Sequence, residues 1–204
     1  RGSAFIAETN SLEVDPECWN PPAVTDQIDY QRRSKTAYEQ DCVRQANRLA
    51  VPAHRAAYEA FMAGASELEI AAAYLRGCDC SENEMPYGII AGVNEHGAVL
   101  HHHNLDKQRR TPRSFLIDAG VAMNGYASDI TRTYAYDSGS DFAALIAAMD
   151  VVQLELVAGG GIGKSPLDLH VLSHLKVAEI LRQFDLLTVS PEEAFDKGIT
   201  GTFY

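Results

Sequence analysis

The dipeptide Asn124-Gly125 constrains this chain more than any other pair of residues. A two-residue hairpin turn needs positive φ at both central positions, and Asn followed by Gly meets that demand with little strain. Cross-strand partners around it carry numbers that sum to 249, so Asp118 faces Thr131. Side chains on a strand alternate between faces, which puts Asp129 on the same face as Thr131 and therefore as Asp118. The two carboxylates are expected as diagonal neighbours, about 7–8 Å apart at the backbone. A slip of one residue would turn both to the other face, so the turn decides where they point.

Asp118 closes the apolar run Phe115-Leu116-Ile117. A carboxylate at the end of so apolar a strand needs a hydrogen-bond partner or a cation. Two acids converging from one surface suit one or two hard cations, which in paired sites stand about 3.5–4 Å apart. The same spacing fits a solvated hairpin with two surface acids, and spacing alone leaves both readings open. Thr131 can steady the carboxylate of Asp118 through its hydroxyl, although threonine is also an ordinary strand residue. Arg132 is expected on the opposite face, in a structural ion pair.

With 204 residues, 46% of them hydrophobic, the chain can bury a core as one domain plus a short extension. Its net charge of −11 weighs against nucleic acid or an anionic membrane as partners, since both call for cationic patches. Cys18, Cys42, Cys78 and Cys80 do not make a disulfide framework at this length, and Cys78-Asp79-Cys80 lacks the spacing and the second pair of a zinc site. No apolar run reaches the roughly 18 residues of a membrane span. A cytoplasmic setting with reduced thiols is the expectation.

Residues 1–29, with Trp19-Asn-Pro-Pro22, read as irregular, the tail of an upstream domain or a linker. Residues 35–62 carry Val43, Ala46, Ala50, Ala53, Ala57 and Phe61 on one stripe of a helix that Pro52 should bend and Gly64 should stop. Ser66-Glu67-Leu68-Glu69 is a capping box opening a second helix. Strand-like runs follow at 87–93, 98–102, 114–118 and 126–136, then helices at 140–157 and 166–184, and a further box at Ser190-Pro-Glu-Glu193. The order helix, helix, strands, helix, helix places the chain in the α+β class.

The words around the two acids sharpen this reading. Ser114-Phe-Leu-Ile-Asp-Ala-Gly120 and Asn124-Gly-Tyr-Ala-Ser-Asp-Ile-Thr-Arg-Thr133 resemble the pita-bread metallopeptidases, the family of prolidases, Xaa-Pro aminopeptidases and methionine aminopeptidases. Together with Tyr30-Gln-Arg-Arg-Ser-Lys-Thr-Ala-Tyr-Glu39 and Asn94-Glu-His-Gly-Ala-Val-Leu-His101, the resemblance is strongest to the bacterial Xaa-Pro dipeptidases. It implies that residues 30–204 are the N-terminal part of a pita-bread catalytic domain, one complete α/β half plus the helices of the second. It implies Asp118 and Asp129 as ligands of two divalent metal ions, usually manganese, with one carboxylate bridging both. It implies His101 as the catalytic histidine beside the substrate, a role an imidazole suits because it donates hydrogen bonds near neutral pH. The substrate would be an Xaa-Pro dipeptide and the assembly a homodimer. One histidine and two glutamates would complete the ligand set from the remaining C-terminal part of the domain, so the chain alone is expected to be incomplete and inactive.

Other constellations compete. On a strand, His101, His102 and His103 would alternate in direction, so the three cannot chelate one ion; His102 and His103 stay unassigned, and His96 is at most a supporting group. Ala158-Gly-Gly-Gly-Ile-Gly-Lys-Ser165 resembles a phosphate-binding loop, but that loop needs Gly where Ala158 stands and a strand before it. Nucleotide binding is therefore the rival from another class. Within the resembling family, an aminopeptidase acting on longer peptides, a metal-free creatinase-type enzyme and a non-catalytic binding protein are the alternatives.

Overall fold

The computed structural model describes Asp15 and residues 18–202. Residues 1–14, 16 and 17 of the expected irregular tail lie outside the described residues. The end of that tail is not irregular: Pro22–Arg32 forms helix α1. Pro21-Pro22 reads as a loop signal, yet Pro22 occupies the first helical turn, where its missing N–H is no loss.

Helix α2, Ala37–Met62, starts at a capping box in which Thr36 and Glu39 satisfy each other's backbone N–H groups. Its buried stripe is Cys42, Ala46, Ala50, Ala53, His54, Ala57 and Phe61, and the helix continues through Pro52. Helix α3, Glu67–Cys78, opens at the Ser66–Glu69 box and packs along α2. The two helices touch backbone to backbone at Gly77, where an added Cβ would fall 2.6 Å from the Cα of Ala53.

Strands β1, Ile90–Val93, β2, Ser114–Ala119, and β5, Ile130–Ala135, form an antiparallel sheet in the order β1-β2-β5. Asp118 pairs with Thr131. Short strands β3, Ala122–Met123, and β4, Tyr126–Ala127, carry the same register up to the turn, where Asn124 and Gly125 have φ of 51° and 82°. Between the two ladders the chains come very close: a Cβ on Gly120 would lie 1.9 Å from the carbonyl oxygen of Ser128. The Ser128 hydroxyl accepts from Val121 N–H at 2.9 Å, and Ser128 N–H donates to the Val121 carbonyl at 2.9 Å.

Alternation sorts the sheet into two faces. Phe115, Ile117 and Ala119, with Ala91 and Val93 of β1, pack on Phe61, Ile70 and Tyr74. Phe61 and Phe115 stack with ring centroids 5.2 Å apart, and the burial of such a side chain stabilises by about 1.5–3 kcal/mol. The opposite face carries Ser114, Leu116 and Asp118 of β2 with Thr131 and Thr133 of β5. Arg132 lies on the helix-packed side as expected, but it donates to the carbonyl of Thr131 and makes no ion pair among the described residues.

Residues 98–102 are not a strand. Asn94–Ala98 is a 3-10 turn, entered through Asn94 at φ 58°, and an irregular loop runs from there to β2. The Asn94 side chain braces the loop's two ends, accepting from the N–H groups of Arg113 and Ser114.

Helices α4, Asp141–Gly159, α5, Pro166–Gln183, and α6, Pro191–Asp196, follow, and a 3-10 turn at Ile199–Thr202 closes the described chain. The glycine-rich segment joins α4 to α5, helix to helix, which removes the phosphate-loop reading. Helix α4 packs on β5 and α5 but buries only Val152. It is long and apolar enough to cross a membrane by length and composition, with a mean hydropathy of 1.7. This corrects the expectation of no such run: Asp150 and Glu155 punctuate the segment, yet it stays apolar on average over its length. A groove of about 1000 Å³ separates Phe142, Ile146 and Met149 of α4 from Leu116, Thr131 and Thr133 of the sheet.

Candidate metal centre

The hairpin delivers its two acids as the register predicts. The half-buried Asp118 is the last residue but one of β2, and its Oδ2 accepts from the Thr131 hydroxyl at 2.8 Å across the ladder. Asp129 sits just before β5, and its Oδ1 accepts from the Tyr87 hydroxyl at 2.9 Å. Burial, then the bond to Asp129 and the nearby Asp118, push the Tyr87 phenol well above its ordinary value, so it stays a donor. One phenol therefore feels both carboxylates.

Both partners are neutral hydroxyls. Among the described residues neither Asp118 nor Asp129 takes part in an ion pair, whereas Glu69 and Glu95 both do. Two neighbouring carboxylates steadied by neutral donors and left without a countercharge fit a cation of charge two. Sequence reasoning had the pair and Thr131 but missed Tyr87, whose position in a strand-like run gives no sign of where its hydroxyl ends.

His101 lies in the exposed loop, its ring parallel to that of His103 with centroids 6.2 Å apart. His103 lies close to Gly88, the residue after Tyr87; a Cβ on Gly88 would stand 3.5 Å from its Nδ1. Although this segment is no strand, the alternation expected of one survives: His101 and His103 point outward and His102 is buried.

A second cluster was not legible at all. Glu67, buried at the start of α3, meets His96 Nδ1 at 2.7 Å and His102 Nε2 at 2.8 Å. Their ligand atoms lie within 4.8 Å of one another, and two imidazoles with a carboxylate are a possible donor set for zinc. The separations argue for hydrogen bonds instead, because ligand atoms around a tetrahedral zinc stand roughly 3.3 Å apart. Val93 N–H and Asp106 N–H also donate to Glu67, at 2.9 and 2.8 Å, so each carboxylate oxygen accepts two bonds. Burial pushes the Glu67 carboxyl up, but those four donors outweigh it and hold the group below its ordinary value. Glu67 reads in the sequence only as filler in a capping box, and nothing local marks it as a hub.

A sequence profile for metallopeptidase family M24 matches residues 41–183, which include both acids, His101 and Glu67. The chain belongs to metallopeptidase family M24. Among curated proteins, this M24 chain is 51% identical over 186 residues to an Xaa-Pro dipeptidase of Xanthomonas campestris pv. campestris strain 8004, covering 91% of the chain and 42% of the relative. It is 46% identical over 205 residues to Xaa-Pro dipeptidase 2 of Idiomarina loihiensis, covering 98% and 47%. The chain thus spans less than half the length of these relatives.

Among solved structures, aminopeptidase P from E. coli in its low-pH form superimposes with a TM-score of 0.67 at 24% identity, over 80% of this chain and 38% of that one. A zinc-substituted form of the E. coli enzyme in complex with product gives 0.68 at 23% identity, over 81% and 38%. These likenesses establish the fold: α+β, of pita-bread type, with part of that architecture present here. Metal ions belong to the chemistry of the family.

Proposed function

We propose that the protein carrying this chain hydrolyses Xaa-Pro dipeptides with two divalent metal ions, manganese by preference, and that Asp118 and Asp129 are two of their ligands. The observation that carries the reading is the uncompensated carboxylate pair, set on the hairpin of an M24 chain that is 51% identical to an Xaa-Pro dipeptidase. When bound, such ions polarise the scissile carbonyl and acidify a water for attack.

The chain's own residues supply the rest. The Thr131 hydroxyl fixes the orientation of Asp118, and the Tyr87 hydroxyl fixes that of Asp129. His101 donates a hydrogen bond to the oxygen of the attacked carbonyl as charge develops on it. A bond to proline has no amide N–H, so recognition rests on ring shape and on the charged terminus. Xaa-Pro aminopeptidase activity on longer peptides is the second reading, favoured only by a fold likeness at 24% identity or less to the E. coli enzyme structures cited above.

The remaining ligands would come from a C-terminal part of the catalytic domain, which would also cover the apolar flank of α4. Homodimeric association and a cytoplasmic setting belong to the same proposal, to be checked by light scattering and by cell fractionation. The decisive experiment uses the intact protein. Asp118→Asn or Asp129→Asn should reduce metal-stimulated Ala-Pro cleavage to background, and turnover like the wild type's in either variant would sink the ligand assignment. Cleavage of Ala-Pro but not of longer Xaa-Pro peptides separates the first reading from the second.

A further inference from the structure

The loop that carries His101 has no strand ladder to hold it. One side chain does that work from below. Glu67 is 2% exposed, and its four donors come from the end of β1 (Val93), the 3-10 turn (His96) and the loop itself (His102 and Asp106). An ionised carboxylate can only accept, so both imidazoles present N–H groups to it. His102 is thereby drawn in to 9% exposure. With the middle residue of three tied inward, its neighbours His101 and His103 turn outward, their rings 8° from parallel. His103 comes to rest by Gly88, beside the tyrosine that holds Asp129. The loop that Glu67 anchors thus passes beside the segment that carries Tyr87.

We propose that Glu67 and His102 are positioning residues that aim His101: the buried carboxylate anchors His102 inward and so fixes the outward direction of the histidine next to it. This rests on the role given to His101 in the peptidase reading above. Neither Glu67 nor His102 need touch substrate; both act through the loop. Without the anchor, His101 keeps its chemistry and loses its place.

A double-mutant cycle on the intact, metal-loaded protein tests this. His102→Ala should lower kcat for Ala-Pro roughly tenfold to a hundredfold, the scale of a misplaced group, with KM moved less and metal content unchanged. His102→Gln keeps an N–H within reach of the same carboxylate oxygen and should recover most of the loss. The double variant His101→Ala/His102→Ala should be no slower than His101→Ala alone, because nothing is left to aim. Losses that multiply in the double variant, or a kcat untouched by His102→Ala, overturn the proposal. If the alanine variant does not fold, His102→Asn, too short to reach Glu67, takes its place.

A readout independent of turnover keeps the two readings apart. The crystal structure of the His102 variant should show the His101 ring displaced from its wild-type position, and an unmoved ring overturns the proposal. If the wild-type protein cleaves no Xaa-Pro peptide, the peptidase reading falls while the ring displacement still decides the positioning.

Discussion

The hairpin from Ser114 to Ala135 carries the two acids and the loop from Asn94 to Arg113 carries His101, yet the two are built by opposite means. The hairpin is specified from within: two residues of positive φ set a register that holds over both of its ladders, and the acids fall where that register puts them. The loop is specified from outside, by Glu67, a carboxylate 26 to 39 residues away in the chain from the groups it gathers. Local chemistry can be read off neighbours in sequence. A long-range anchor leaves no such trace.

That contrast is most directly attacked at the anchor. Glu67→Gln replaces one all-accepting oxygen by an amide that cannot accept, leaving buried donors unpaired. It should destabilise the fold by about 2–4 kcal/mol, read as a lower urea midpoint with an unchanged m-value. Its pH signature has a definite sign. The folded-state value of Glu67 lies below the ordinary 4.5, so its contribution is complete above that pH and is lost as the pH falls below it, toward the folded value. Wild-type stability should therefore drop on acidification below 4.5, and the drop should be shallower in Glu67→Gln; parallel curves would show that the anchor does not titrate as a carboxylate.

The hairpin should prove sensitive at its turn instead. Gly125→Val forces a branched residue to a φ of 82°, at about 1–2 kcal/mol. If the midpoint does not move, the turn is not what sets the register. A smaller effect separates orientation from folding: Thr131→Val removes the hydroxyl on Asp118 and should weaken metal binding roughly tenfold while leaving the melting temperature nearly unchanged, as calorimetry with manganese would show.

Legibility followed the same division. The turn, the pairing of Asp118 with Thr131, most of the apolar stripe of α2 and the box at Ser66 all depend on residues within a turn or a strand pair of one another, and they were readable. At Ser190 only half of the expected box forms: Glu193 N–H donates to the Ser190 hydroxyl, while the Glu193 carboxylate accepts from Lys197 instead. The run 98–102 reads as a strand, yet Ala98 to His101 are all exposed and only His102 turns inward, drawn by Glu67 rather than by a neighbouring strand. Tyr87 reaches Asp129 across 42 residues, and no period or motif announces it. Helix α1 was hidden for a different reason: Pro21-Pro22 signals a loop and a helix start equally well.

The close approach at Gly120 has a genetic consequence. With a Ser128 carbonyl 1.9 Å from where any Cβ would sit, the position rejects alanine as firmly as tryptophan. Every missense change in that codon should behave as a null allele whatever the chemistry of the new side chain. Position 120 therefore offers no graded series of variants, and selection acting there can only keep the glycine or lose the protein.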